Sequence, residues 1–212
     1  MTHMRLLLAT SNHGKQRELR QLFGDLPGLT LLAPADVDGL PDVIEDGETF
    51  EHNARKKAIE IATAKQVAVI SDDSGLEVDA LAGRPGVRSA RYAGEHARDA
   101  DNNRKLLAEL AVVPLPLRTA RYRVVLAFYD PRAKPGPVLH LTHGRCDGRI
   151  RSDPSGEGGF GYDPYFEPHG FTCTMAELRA MDKNRISHRA KAAAAMRDFL
   201  AAYLRASEPP SA

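Results

Sequence analysis

Ser11-Asn12-His13-Gly14-Lys15 follows the apolar run Leu6-Leu7-Leu8-Ala9 and precedes Leu19, Leu22 and Phe23 at helical spacing. A strand-to-helix junction leaves backbone N–H groups unpaired and partly positive, which suits phosphate oxygens. Lys15 adds a full charge and Gly14 lets the backbone come close. The spacing is not that of a Walker A loop, because Gln16 follows the lysine where Ser or Thr is required. The same residues also suit a plain turn with a solvated lysine. A second stretch, Asp72-Asp73-Ser74-Gly75, closes the apolar run Val67 to Ile70. Ligands gather at strand ends in α/β sheets, and two hard carboxylates suit Mg²⁺. Asp, Ser and Gly favour an ordinary turn equally well. A third, Glu45-Asp46-Gly47-Glu48, can supply a further metal oxygen or simply favour the start of the next helix.

Two later stretches offer different chemistry. In Gly158-Gly159-Phe160-Gly161-Tyr162-Asp163-Pro164 the glycines leave an aromatic face open, and an open ring can stack a base. The alternative is a glycine-rich hairpin with Phe160 and Tyr162 in the core. Lys183-Asn184-Arg185-Ile186-Ser187-His188-Arg189 puts three kinds of donor within seven residues near a helix start, or forms a polar connection between helices. His140 and His143 in a strand point to opposite faces and cannot share a metal.

The elements that must position these residues alternate. Strands are expected at Leu6–Ala9, Leu29–Leu32, Val67–Ile70 and Val124–Tyr129, with Val138–Leu141 and Arg145–Ile150 as partners. Thr49 is placed to cap a helix striped by Phe50, Ala54, Ala58 and Ile61, and Asp99 to cap one holding Leu106, Leu107 and Leu110. Thr174-x-x-Glu177 has capping-box spacing and predicts a helix start. Ala190 to Leu204 is a strong helix former. The mixture indicates an α/β class with a mixed sheet. Residues 1–205 read as one domain and 206–212, with two prolines, as a disordered tail.

Composition excludes several roles. The 29 basic and 28 acidic side chains leave a net charge of +1, which argues against a nucleic-acid polymer as partner. No apolar run approaches the roughly 20 residues of a membrane helix, and the short apolar stretch near the N-terminus is too brief for a signal peptide. Cys146 and Cys173 are far apart and read as reduced packing residues, so the expected location is the cytoplasm.

The set of motifs is more specific than any one of them. Ser11-Asn12-x-Gly14-Lys15, Glu45-x-Gly47-x-Thr49-Phe50-x-x-Asn53-Ala54, Asp72-Asp73-Ser74-Gly75-Leu76, Ser89-Ala90-Arg91-Tyr92-Ala93-Gly94, Gly159-Phe160-Gly161-Tyr162-Asp163-Pro164 and Ser187-His188-Arg189 occur in that order. This order resembles the inosine/xanthosine triphosphate pyrophosphatase family, from Leu6 to about Leu204. The resemblance implies an elongated mixed β-sheet with flanking helices, two lobes around a central substrate cleft, and homodimers. It implies Mg²⁺-dependent hydrolysis of ITP, dITP and XTP to monophosphate and pyrophosphate, keeping damaged purines out of DNA and RNA. Carried over by motif, Thr10, Ser11, Asn12, His13, Gly14 and Lys15 bind the triphosphate. Glu45 and Asp73 look like metal carboxylates, Asp73 also like the general base, with Lys15 beside it in catalysis. Ser74, Phe160, Gly161, Tyr162, Asp163, Lys183, His188 and Arg189 look like substrate contacts. His13 falls at a variable position, and Arg179-Ala180-Met181-Asp182 stands where relatives often carry more glutamates.

The chemistry agrees with this resemblance. Attack of water on a triphosphate is repelled unless cations screen it. A keto purine accepts where adenine donates, so donors in a dry pocket would be left unpaired by adenine. A pyrophosphatase of wider substrate range and a nucleotide sensor that does not turn over are the rival readings. The carboxylates argue against the sensor, since they gain nothing for binding an anion.

Overall fold

The computed structural model describes residues 3–206. Its strands are β1 (Met4–Leu8), β2 (Leu29–Leu32), β3 (Ala68–Val78), β4 (Thr119–Asp130), β5 (Val138–Ile150) and β6 (Phe166–Pro168). Its helices are α1 (His13–Phe23), α2 (Phe50–Lys65), α3 (Asp99–Leu110), α4 (Ala180–Ile186) and α5 (His188–Ala206). The strands form one six-stranded sheet in the order β2-β1-β3-β4-β5-β6. β1 is parallel to both β2 and β3, with Leu6 opposite Leu31 and Ala68, whereas β5 and β6 are antiparallel. The expected α/β class with a mixed sheet and flanking helices is the one observed.

Backbone proximity divides the chain into two compact units. The first holds residues up to Asp73, Val125–His143 and the chain from Lys191 on; the second holds Ser74–Val124 and Gly144–Ala190. In the first, Leu6, Leu7, Leu8, Val69 and Ile70 are fully buried, together with Ala54, Ala58 and Ala62 of α2 and Ala192, Ala193, Met196 and Leu200 of α5. A parallel strand covered on both faces carries a continuous apolar run rather than an alternation, which is why Leu6-Leu7-Leu8 has no period. The second unit packs Leu76, Val78, Leu106, Leu110, Tyr122, Ile150 and Phe166 into its own core.

Several boundaries differ from those the sequence predicts. β3 does not stop at Ile70 but runs through Asp72-Asp73-Ser74-Gly75 to Val78, so these residues are strand and not a turn. β5 is one strand across Thr142-His143-Gly144, because backbone pairing tolerates the polar middle that interrupts the apolar pattern. Asp99 is the first residue of α3 and Arg98 stands at the cap. Thr174 and Glu177 do form reciprocal bonds, with Thr174 N donating to Glu177 Oε2 at 2.6 Å and Glu177 N to Thr174 O at 3.1 Å. No helix follows there, because the backbone is paired elsewhere: Met175 N donates to Phe166 O at 2.8 Å, Ala176 N to Asp163 O at 3.3 Å, and Ala176 O accepts from Gly158 N at 3.0 Å; the next helix starts at Ala180. Thr49 caps α2 as expected, accepting from His52 N at 3.1 Å. Of the tail 206–212, Ala206 closes α5 and the remainder lies outside the described residues.

Candidate active site

In the first unit the chain leaves β1 at Leu8 and is turned by its own side chains. Thr10 Oγ1 accepts from Asn12 N at 3.3 Å, and Asn12 Oδ1 caps α1 by accepting from Lys15 N at 3.0 Å. Gln16 Nε2 donates to Thr10 O at 2.7 Å, so the residue that breaks the Walker A pattern ties the loop to the helix. Ser11, Asn12 and His13 are exposed, and Gly14 and Lys15 are half-buried. The α1 start is thus open at Ser11 to His13, while its Lys15 N–H is taken by the Asn12 cap. Lys15 Nζ lies 3.0 Å from Asp72 Oδ2, whose side chain is fully buried.

The two neighbouring aspartates of β3 find different partners, as alternation along a strand requires. Asp72 faces Lys15, while Asp73 Oδ2 accepts from Asn53 Nδ2 of α2 at 3.0 Å. Asn53 also accepts from Gly47 N through Oδ1 at 2.8 Å, which draws the acidic segment against α2. A Cβ at Gly47 would meet Asn53 Oδ1 at 2.6 Å, so glycine is needed for this approach. One helical turn after Asn53, Lys57 Nζ reaches Glu45 Oε1 at 3.0 Å and Asp72 O at 2.7 Å. The sequence reading gives Asn53 only as a member of a motif, with no role, and does not give Lys57. Their spacing of four on one helix face is the available signal.

Burial pushes the Asp73 carboxyl up to about 6 and the charge of Glu45 adds to this, against the pull of Lys57, Lys15 and the Asn53 bond. A carboxylate held up by desolvation and a like charge is one that a divalent cation relieves. Hard oxygens on Glu45 and Asp73 also match the one or two protein carboxylates that Mg²⁺ accepts. The residues present therefore fit Mg²⁺.

The second unit gathers the other predicted residues. Asp163 is the hub of the glycine-rich loop. Its Oδ2 accepts from Phe160 N at 3.1 Å and pairs with Lys183 Nζ at 2.8 Å, and its Oδ1 accepts from Tyr122 OH at 3.1 Å. A Cβ at Gly159, whose φ is +76°, would fall on Asp163 Oδ2. Tyr162 is buried and its hydroxyl donates to Ser89 O at 2.8 Å. Ser89, from the Ser-Ala-Arg-Tyr-Ala-Gly motif, also accepts from Leu76 N at 2.9 Å, so that motif braces the loop from below β3. The half-buried Phe160 ring has Lys183 Nζ 5.2 Å and Arg189 Cζ 5.7 Å from its centre. Arg189 Nη2 donates to Ser74 Oγ at 3.1 Å, and the His188 ring stacks on Tyr122 at 4.8 Å and 14°. Lys183 comes from α4, whereas His188 and Arg189 open α5 after a break at Ser187.

The class defined by this fold and these clusters is an α/β protein with a mixed sheet, a strand-to-helix anion loop, and carboxylates interleaved with ammonium groups on the neighbouring parallel strand. Residues 6–199 match the model of the Ham1 family, and the chain belongs to that family. It is 47% identical to the dITP/XTP pyrophosphatase of Geobacter sulfurreducens over 92% of this chain and 96% of that one. With the dITP/XTP pyrophosphatase of Geobacillus kaustophilus it shares 50% identity over 88% of this chain and 89% of the relative. Its structure is similar to that of the Staphylococcus aureus Ham1 protein, with a TM-score of 0.81, 37% identity, and coverage of 94% of this chain and 99% of that one.

Proposed function

We propose that this chain hydrolyses non-standard purine nucleoside triphosphates (ITP, dITP and XTP) to the monophosphate and pyrophosphate, as a single nucleotide pyrophosphatase domain over residues 1–205. The observation that carries the reading is Asp73: a buried carboxylate, raised to about 6, bonded to Asn53 and flanked by Lys15, Lys57 and Glu45. Relatives 47% and 50% identical that bear the name dITP/XTP pyrophosphatase support it.

In this reading Thr10 to Lys15 receive the triphosphate at the α1 start, where Lys15 screens phosphate charge. Asp73 accepts the proton of the attacking water as general base. Mg²⁺, held by Glu45 and Asp73, supplies charge neutralisation when bound. Phe160 stacks the base, with Ser74, Gly161, Tyr162 and Asp163 shaping its surroundings. Lys183, His188 and Arg189 provide donors for a keto oxygen, which adenine cannot satisfy. The family resemblance further supports a homodimer in the cytoplasm acting on a free nucleotide, with no nucleic-acid or membrane partner; among the described residues no helix is long and apolar enough to cross a membrane.

Incubation with Mg²⁺ and a panel of triphosphates, with products identified, tests this. Pyrophosphate is expected from ITP, dITP and XTP much faster than from ATP or GTP. Orthophosphate as first product, or equal rates across the panel, overturns it. Phe160→Ala is expected to weaken ITP binding by about 1–3 kcal/mol without unfolding the chain. A large fall in melting temperature with unchanged KM would instead make Phe160 a packing residue.

A further inference from the structure

We propose that Asp99 and Asn103 of α3 are positioning residues that set the Phe160 ring through the backbone of Gly161, a role that rests on the reading of Phe160 as the base-stacking residue. Four residues apart, the two share one face of the helix. Asp99 Oδ2 accepts from Gly161 N at 2.7 Å, and Asn103 Nδ2 donates to Gly161 O at 2.9 Å. The Gly161 N–H belongs to the peptide plane that follows Phe160. The plane that precedes Phe160 is held by the bond from Phe160 N to Asp163 at 3.1 Å. With both flanking planes fixed, φ and ψ of Phe160 are fixed, and so is the direction in which its Cα–Cβ bond leaves the chain, which limits the rotamers open to the ring. The second bond, to the Gly161 carbonyl, fixes the next plane as well. Gly161 has φ +64°, and a Cβ there would meet nothing within 4 Å, so glycine is required by the backbone angle that the clamp holds and not by crowding.

Asn103 gives independent support. It is buried, and its Oδ1 has no hydrogen-bond partner among the described residues. A buried amide with an unmet acceptor is unfavourable for folding, and an apolar side chain of similar shape would avoid it. The amide nitrogen donates to Gly161 O at 2.9 Å. An amide at this position therefore serves the loop more than the stability of α3. Asn102, the next residue, shows the contrast: its amide is satisfied at both ends, accepting from Ala93 N at 2.8 Å and donating to Ala90 O at 3.1 Å.

The test uses Asn103→Leu, Asp99→Ala and the conservative Asp99→Asn in the full chain. Measured are KM and kcat for ITP with Mg²⁺, inhibition by inorganic pyrophosphate, the melting temperature, and hydrogen exchange at the Gly161 amide by NMR. Asn103→Leu and Asp99→Ala are expected to raise KM for ITP about tenfold with kcat within about threefold of wild type, a loss of the size expected when one base loses its aromatic stack. Inhibition by pyrophosphate, which has no base, stays unchanged. The melting temperature of Asn103→Leu does not fall, and Asp99→Asn, whose amide oxygen still accepts, restores KM. Faster exchange at Gly161 in Asp99→Ala marks release of the clamp. An unchanged KM despite a released Gly161 overturns the proposal, as does an equal loss of pyrophosphate inhibition or a Gly161 amide that exchanges as in wild type. Should wild type fail to hydrolyse ITP, the functional reading falls, while Gly161 exchange still decides whether the clamp exists.

Discussion

Asp73→Asn is expected to lower kcat on ITP by about 10²–10⁴-fold, the usual contribution of a positioned general base, with any metal role adding to the loss. The fold is expected to survive. The Asn53 amide can still donate to the side-chain oxygen at position 73, in place of its present 3.0 Å bond to Asp73 Oδ2. The sign of the pH effect points the same way. The carboxyl sits at about 6 in the folded metal-free chain against 3.8 in the ordinary state, so the unfolded chain loses its proton first. Ionised Asp73 therefore opposes folding increasingly from about pH 4 to 6, and fully above that. Asn removes this cost, and metal-free Asp73→Asn should melt no lower than wild type at pH 7. Asp72→Asn is expected to retain more activity, because its carboxylate holds Lys15 at 3.0 Å, whereas it is Asp73 that accepts from Asn53, the residue bonded to Gly47. The measurement is kcat for both variants at saturating Mg²⁺, with circular dichroism and calorimetry as controls. If Asp72→Asn is the more damaging and Asp73→Asn remains active, the base is wrongly placed.

Asp163→Ala is expected to cost about 3–5 kcal/mol of stability, the range for breaking one side of a buried ion pair. In a chain of this size that lowers the melting temperature by about 10 °C. The Lys183 and Asp163 side chains are 10% and 6% exposed, so removal of the carboxylate takes away a counter-charge at 2.8 Å from a largely buried ammonium group. Tyr122 OH and Phe160 N lose their acceptor at the same time. Adding Lys183→Met to Asp163→Ala removes the largely buried charge and should recover part of the loss. Calorimetry of the single and double variants reads both effects. A single variant within 1 °C of wild type would show that Asp163 carries no structural load.

Legibility of the fold followed the range of the interactions involved. The Thr49 cap, the α2 stripe and the run Leu6-Leu7-Leu8 are set within one or two turns or along one strand, where neighbours in sequence are neighbours in space. β3 was cut short because Asp72-Asp73-Ser74-Gly75 is turn-like by composition. What keeps it extended is sheet position together with Lys15, Lys57 and Asn53, which lie 57, 15 and 20 residues away from their partners in β3. The predicted helix at Thr174 failed for the same kind of reason, since Phe166 and Asp163, 9 and 13 residues earlier, take the N–H groups of Met175 and Ala176.

The sequence by itself determined the α/β class, the family and the order of its motifs, because residue types and local spacing are properties of the chain alone. Only the tertiary structure decided how those motifs are held. Asn53 joins Gly47 to Asp73, Ser89 links Leu76 to Tyr162, and Asp99 with Asn103 grips Gly161 across about 60 residues of chain. Such bonds depend on separations of a few ångström between residues distant in sequence, and those separations exist only once the sheet and its helices have packed.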